Sequence, residues 1–151
     1  MSYERPLTEH YGEELGNHAF SGAATLKVKG PKGCVGFVRD IYVDVTTSIV
    51  GTTTVPEIGV GISSGDYSYG RYRLGTAIVT GYNTGSRRAS QEAWTGNPPR
   101  TLSDFVGHVA LETARIPADT EISVFVVAAV GAAAGNGRIR VQIDWIGQPI
   151  A

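Results

Sequence analysis

The chain has 151 residues, with 13 basic and 14 acidic side chains and a formal net charge of −1. A chain of this length is sufficient for one domain with its own core, since about two-thirds of the unfolded surface can be buried at this size. The near-neutral charge argues against nucleic acid or an anionic membrane as the partner, and we expect neither a secretion signal nor a membrane-spanning segment. The single cysteine, Cys34, cannot form an internal disulfide, and we expect it to be a small buried residue and not a reactive thiol.

Residues 1–21 differ in charge from the rest of the chain. Four glutamates and one arginine give this segment −4 + 1 = −3, which leaves +2 for residues 22–151. Its large side chains show no sustained period, so we predict an extended arm and not an amphipathic helix. Two interpretations stay open, a loosely docked tail or an arm that lies on a neighbouring subunit. In the second, the predicted partner contacts are Tyr3, Glu4, Leu7, Tyr11 and Phe20.

A long strand pattern covers residues 35–49, after a shorter strand that begins at residue 25 and a turn rich in Gly and Pro. Its apolar side chains share the parity of Phe37, and Arg39 interrupts the alternation. Because an inward arginine would need an acidic partner, we predict a bulge near Gly36 or a strand end.

The middle of the chain combines glycine, tyrosine and arginine. In the strand predicted at residues 58–62, Gly59 and Gly61 form one face, which predicts that another layer of the protein approaches the backbone closely. Residues 67–73 place two tyrosines and two arginines on one parity, namely Tyr67, Tyr69, Arg71 and Arg73. We interpret them as a half-exposed strand with cation–π contacts, in preference to a nucleic-acid surface. A further strand is predicted at residues 76–79.

Residues 81–101 lack periodicity and are predicted to form a long loop. Tryptophan and arginine often anchor protein interfaces. The predicted partner contacts in this loop are therefore Arg87, Arg88, Trp94 and Arg100. The alternative is that Trp94 folds back and covers the core.

The last part of the chain contains a strand pattern at residues 105–111, a corner at 115–120 and two closing strand patterns. The pattern at residues 121–127 predicts a strand covered on both faces toward its end. The final pattern predicts a strand with one dry face, formed by Ile139, Val141, Ile143 and Trp145. Because a loop of small residues ending in glycine and asparagine joins these two strands, we expect them to pair as an antiparallel hairpin.

Seven or eight strand patterns without a helix predict an all-β fold. We expect a single-domain antiparallel β-sandwich or barrel, most simply a jelly roll, over residues 22–151, with the extended N-terminal arm at residues 1–21. No nucleophile motif and no H-x-H metal pair is present, so we expect neither catalysis nor a cofactor. A calcium site would require that the fold bring together Asp40, Asp44, Asp66 and Asp104.

Three segments together resemble head-decoration (cement) proteins of tailed bacteriophages and related virion proteins: GPKGCVGFVRDIYVDVTTSIVGTTTVPEIGVGISSGDYSYG, RIPADTEISVFVVAAVGAAAGNG and RIRVQIDWIG. The likeness covers residues 23–147. It consists of the order of the predicted strands and of the sequences of the turns between them. It implies a jelly-roll or β-barrel body, commonly a homotrimer, on the exterior of the capsid where subunits of the major capsid protein meet. Such a protein is made in the host cytoplasm and has no catalytic role. Neither the arm nor the Trp94 loop matches a motif of the family, so no capsid-contact residue is carried over.

Two hypotheses from other functional classes stand beside the decoration-protein hypothesis. A glycan-binding module of a phage fibre or surface protein would use Trp94 and Tyr82 as stacking platforms for sugars. A cupin-type enzyme would require a bound transition metal.

Overall fold

The computed structural model describes the backbone of residues 6–11 and all atoms of residues 17–50, 53–75, 81–89, 115–128, 130 and 134–147. These residues form the following strands: β1 Pro6–Tyr11, β2 His18–Ala19, β3 Ala24–Lys29, β4 Cys34–Val50, β5 Glu57–Gly61, β6 Gly70–Arg73, β7 Gly85–Arg88, β8 Arg115–Ile116, β9 Glu121–Val127 and β10 Ala134–Gly147.

The strands build two antiparallel sheets that pack against each other. The large sheet has the order β1-β10-β4-β7, with β2 also pairing β10 and β8 also pairing β4. The small sheet has the order β3-β9-β5-β6. Inward side chains of both sheets form one apolar core. The predicted all-β sandwich is therefore confirmed, whereas the jelly-roll connectivity stays a prediction.

The apolar face of β10 lies at the centre of this core. Ile139, Val141, Ile143 and Trp145 are all buried, as the alternation predicts. The ring of Trp145 lies against the backbone of Gly30 and Gly36, where an added Cβ would be 2.3 Å and 2.5 Å from ring carbons. Glycine at these two positions therefore leaves the space that the indole needs. Burial of one such large apolar side chain contributes about 1.5–3 kcal/mol.

The two closing strands do not form the predicted hairpin. β9 pairs with β3 and β5 in the small sheet, whereas β10 pairs with β4 in the large sheet. The dry faces of the two strands therefore meet across the core and do not lie side by side. Pairing with the 17-residue β4 allows β10 to bond along its whole length, which a hairpin with the shorter β9 would not.

The burial of β9 also differs in detail from the predicted burial. The segment from Ile122 to Val126 is buried on both faces, but the last residue, Val127, is exposed.

The bulge predicted in the long strand is present, three positions beyond the expected Gly36. Gln142 pairs with Asp40 and Ile143 pairs with Val38, so Arg39 is the extra residue. A bulge reverses the parity of the side chains that precede it. Val38 is therefore buried in the core in place of Phe37, which is half-buried on the outer side.

The N-terminal segment contributes strands to the large sheet. Pro6–Tyr11 pairs with β10, and so does His18–Ala19. A separate extended arm at residues 1–21 is therefore not confirmed. Phe20, predicted as a partner contact, is 0% exposed and packs in the core, so that prediction is wrong. Its ring fits because Gly137 carries no side chain, since a Cβ there would be 3.0 Å from the phenyl carbons.

Part of the predicted loop at residues 81–101 is a strand. Gly85–Arg88 pairs with the segment from Tyr42 to Val45 of β4, because β4 offers an edge there. The strands predicted at residues 76–79 and 105–111 lie outside the described residues.

Candidate functional site

Arginines surround one tyrosine on the outer side of the large sheet. The register of β7, β4 and β10 places Arg88 opposite Tyr42, and Tyr42 opposite Arg140. In the next row Asp44 lies between Ser86 and Arg138. Because residues that lie opposite each other share one side of a sheet, these side chains form a continuous surface. We call it the arginine–tyrosine face and define it as Tyr42, Asp44, Ser86, Arg88, Arg138 and Arg140.

Side chains of the two neighbouring strands, β7 and β10, position the Tyr42 ring. The guanidinium carbon of Arg88 lies 5.5 Å from the ring centroid, and that of Arg140 lies 6.0 Å from it. Both distances are within the range of cation–π attraction. The Tyr42 hydroxyl donates a hydrogen bond of 2.9 Å to Oε1 of Gln142. The aromatic ring is thus held by guanidinium groups at its surface and by an amide at its tip.

A shallow depression of about 200 Å³ lies in this face, lined by Tyr42, Val43, Asp44, Ser86, Arg87, Arg138 and Arg140. A second depression, of about 150 Å³, extends it to Arg88. Among the lining residues, the charged members of the face are Arg88, Arg138, Arg140 and Asp44, which sum to +3 − 1 = +2. The volumes are below the 300–1,000 Å³ typical of small-molecule sites. They suit side chains of a protein partner better than a cofactor.

The two arginines predicted as contacts at the end of β7 have different environments. Arg88 is exposed on the arginine–tyrosine face. Arg87 lies opposite Val43 and is half-buried, with its guanidinium carbon 4.1 Å from the centroid of the Tyr82 ring. Tyr82 itself is 2% exposed. It is therefore not available as the sugar platform that the glycan hypothesis requires.

The other predicted contacts cannot be placed. Leu7 and Tyr11 belong to β1, of which the backbone alone is described. The remaining four lie outside the described residues: Tyr3, Glu4, Trp94 and Arg100.

Of the residues of the face, Arg88 alone was predicted as a contact, and those missed by sequence reasoning include Tyr42, Arg138 and Arg140. The alternation in β4 and β10 does place them on polar sides. Their proximity depends on the register between two strands about 100 positions apart, which the pattern of either strand leaves undetermined.

A second group of tyrosine and arginine side chains lies on the outer side of the small sheet. We call it the small-sheet cluster and define it as Glu57, Tyr67, Arg71, Arg73 and Phe125. Nη2 of Arg71 donates to both carboxylate oxygens of Glu57, at 2.9 and 2.8 Å. Arg73 forms a second ion pair with the same carboxylate at 3.3 Å.

Tyr67 connects the charged part of the cluster to its apolar part. The Arg71 guanidinium carbon lies 4.5 Å from the Tyr67 ring centroid, so the predicted cation–π interpretation is confirmed. The Tyr67 hydroxyl donates to Glu57 at 3.1 Å, and its ring packs edge-on against Phe125 at 5.2 Å. Burial, and secondly the negative charge of Glu57, raise the pKa of Tyr67 to about 12. Tyr69 departs from the predicted parity and is buried in the core.

The close approach predicted at the glycines of β5 is present. A Cβ at Gly59 would lie 2.1 Å from the ring of Phe125, which is the residue directly opposite on β9. The approaching group therefore comes from the neighbouring strand of the same sheet and not from a second layer. A Cβ at Gly61 would meet the backbone of Asp66.

Other chemistry has little support among the described residues. No three His, Cys, Asp or Glu side chains converge there as a metal site, and Asp104 lies outside that part of the chain. Asp66 instead accepts hydrogen bonds from the Ser68 hydroxyl and from the backbone of Ile62, which lower its pKa. Cys34 is buried, as expected. In the same residues no helix has the length and apolarity needed to cross a bilayer.

Comparisons of the chain with protein-family models, with curated proteins and with solved structures found no match.

Proposed function

We propose that this chain is a structural virion protein, a decoration protein that binds the outside of a bacteriophage head and stabilises contacts between major capsid subunits. The proposal takes the partner and the location from the family resemblance of the sequence. The observation that carries its binding role is the arginine–tyrosine face.

The composition of this face is that of a protein interface. Tyrosine and arginine are enriched among the residues that dominate binding energy, because they combine a large contact area with directed hydrogen bonds. Arg88, Arg138 and Arg140 are exposed, and paired strands of one sheet position all three. A partner therefore meets a surface that is already ordered, which reduces the entropic cost of binding.

Oligomerisation would strengthen such binding. We propose a homotrimer, in which three copies of the face contact neighbouring capsid subunits together. Linked contacts of this kind raise the overall affinity well above that of one contact, provided that the geometry allows simultaneous binding. A decoration protein can then resist expansion of the capsid although each single contact is weak.

The test is a sedimentation assay with purified, empty, expanded capsids that lack this protein. We expect the wild-type protein to sediment with the capsids, and the double variant Arg88→Gln/Arg140→Gln to bind about tenfold more weakly. The matched control is Lys29→Gln/Lys32→Gln, which removes the same charge from two exposed positions outside the face. Absence of wild-type binding would overturn the proposed function, and light scattering of the free protein tests the trimer.

A further inference from the structure

We infer that β3 binds an extended strand of a protein partner in which acidic and apolar residues alternate. β3 is the outermost strand of the small sheet, and among the described residues it pairs with β9 alone. We call the side of β3 that points away from β9 the β3 edge. This contact goes beyond the proposed capsid contact, because it lies on the other sheet and is made through the backbone.

The backbone of β3 is suited to such pairing. The residues from Ala24 to Lys29 pair with β9 one after another, without a bulge, so the edge is regular along its whole length. In an antiparallel sheet, every second residue of an outer strand directs its N–H and C=O groups away from the neighbouring strand. An extended peptide binds such groups through main-chain hydrogen bonds and adds a strand to the sheet.

The inner side of β3 favours apolar residues at alternate positions of the partner. Leu26 packs against the core but is only half-buried, whereas Val28, two positions further along, is buried. Side chains of neighbouring strands on one side of a sheet contact each other. An apolar side chain of an added strand would therefore cover the exposed part of Leu26.

The outer side of β3 favours acidic residues at the other positions. Thr25, Lys27 and Lys29 are exposed there. Nζ of Lys27 donates a hydrogen bond of 2.9 Å to Oγ of Ser123, and an ammonium group can donate further bonds. Glu121 lies opposite Lys29 on β9, but the two form no ion pair in the part of the chain that the structure describes. The three charges sum to +2 − 1 = +1, which favours a carboxylate beside the edge.

The same lysines argue against a second copy of this chain as the partner. Antiparallel pairing of two β3 strands over most of their length would place Lys27 opposite Lys27 or Lys29. Like charges directly opposite each other destabilise a sheet, and lysines on an outer strand oppose such pairing. A strand with glutamates two positions apart fits both lysines instead, because residues i and i+2 of a strand point to the same side.

The experiment is fluorescence anisotropy with a labelled octapeptide in which glutamate and valine alternate. Two comparison peptides have the same composition. In one, all glutamates precede all valines, and in the other, every backbone amide of the alternating sequence is N-methylated. We expect the alternating peptide to bind most tightly, because it alone combines free N–H groups with the required order of side chains. Added salt should weaken this binding.

Protein variants test the position of the contact. Lys27→Gln/Lys29→Gln should bind the alternating peptide about tenfold more weakly, since two cross-strand charge pairs are lost. The matched control is Arg39→Gln/Arg115→Gln, which removes the same charge from two exposed positions on the large sheet and should bind the peptide as the wild type does. Circular dichroism of each variant establishes that it is folded.

Four results would overturn the inference. They are absence of peptide binding at about 1 mM, equal binding of either comparison peptide, equal weakening in the control variant, and a fall in the molar mass of the wild-type protein when the peptide is added. The last result, measured by light scattering, would show that a second copy covers the β3 edge. All of these measurements use the free protein, so their outcome is independent of capsid binding.

Discussion

The two outer sides of the sandwich carry similar residues in different arrangements. Each combines arginines with a tyrosine, Tyr42 on the large sheet and Tyr67 on the small sheet. On the small sheet the arginines share the carboxylate of Glu57, and the tyrosine packs on Phe125. On the large sheet the arginines surround the tyrosine and three of them are exposed.

This difference shows that residue type alone does not determine how arginine and tyrosine side chains are arranged on a sheet. In the small-sheet cluster, the favourable contacts of arginine and tyrosine are made within the chain, so they contribute to stability. In the arginine–tyrosine face, Arg88, Arg138 and Arg140 keep part of their side chains in contact with solvent. Glu57 and Phe125 contribute to the contrast, because Glu57 pairs with both arginines of the cluster and Phe125 packs against its tyrosine ring.

Removing the phenyl ring of the small-sheet cluster should have the largest effect on stability. Phe125 is buried between Gly59 and Tyr67, so Phe125→Ala leaves a cavity on that side of the sheet. We expect a loss of about 3–5 kcal/mol in the free energy of unfolding, measured by urea denaturation. The control Arg88→Gln, on the other sheet, should change it by less than about 0.5 kcal/mol. Equal losses in the two variants would remove the distinction between the faces.

Neutralising the Glu57 carboxylate of the small-sheet cluster should have an intermediate effect on stability. Glu57→Gln leaves Arg71 and Arg73, with side chains 23% and 13% exposed, beside a neutral amide. We expect a loss of about 2 kcal/mol, less than for a fully buried pair because these groups keep some contact with water. Asp144→Asn is the matched control. Its partner Arg39 is 41% exposed, so the loss there should be about 0.5 kcal/mol. A larger loss for Asp144→Asn would contradict the structural role of Glu57.

The smallest expected effect on stability comes from the ionisation of Tyr67 at high pH. Its pKa is raised from 10.0 to about 12 in the folded protein. A raised pKa means that the folded state holds the proton more tightly than the unfolded state does. The stabilisation is therefore complete below pH 10 and is lost as the pH rises from 10 toward 12. Absorbance of tyrosinate near 295 nm should show a titration step near pH 12 that is missing in Tyr67→Phe. Persistence of that step in the variant would show that another tyrosine is responsible.

Several features of the fold follow from the alternation of side chains. The dry face of β10, the strands of the small sheet and the burial of Cys34 were predicted correctly, because each depends on residues close together in the chain. The bulge was inferred because one charged residue, Arg39, occupies a position where the alternation predicts an apolar one. The position of the bulge was not predicted correctly. Arg39 can occupy the extra position because Asp144 on β10 binds it there, and this pairing is visible in three dimensions alone.

The alternation of polar and apolar residues along the chain is enough to predict the all-β class and most of the core. Which strands pair is visible only in the folded chain: β9 and β10 lie in different sheets, Phe20 is buried, and Tyr42 lies between Arg88 and Arg140. The physical reason is that strand periodicity is local, whereas pairing and register depend on packing between segments far apart in the chain.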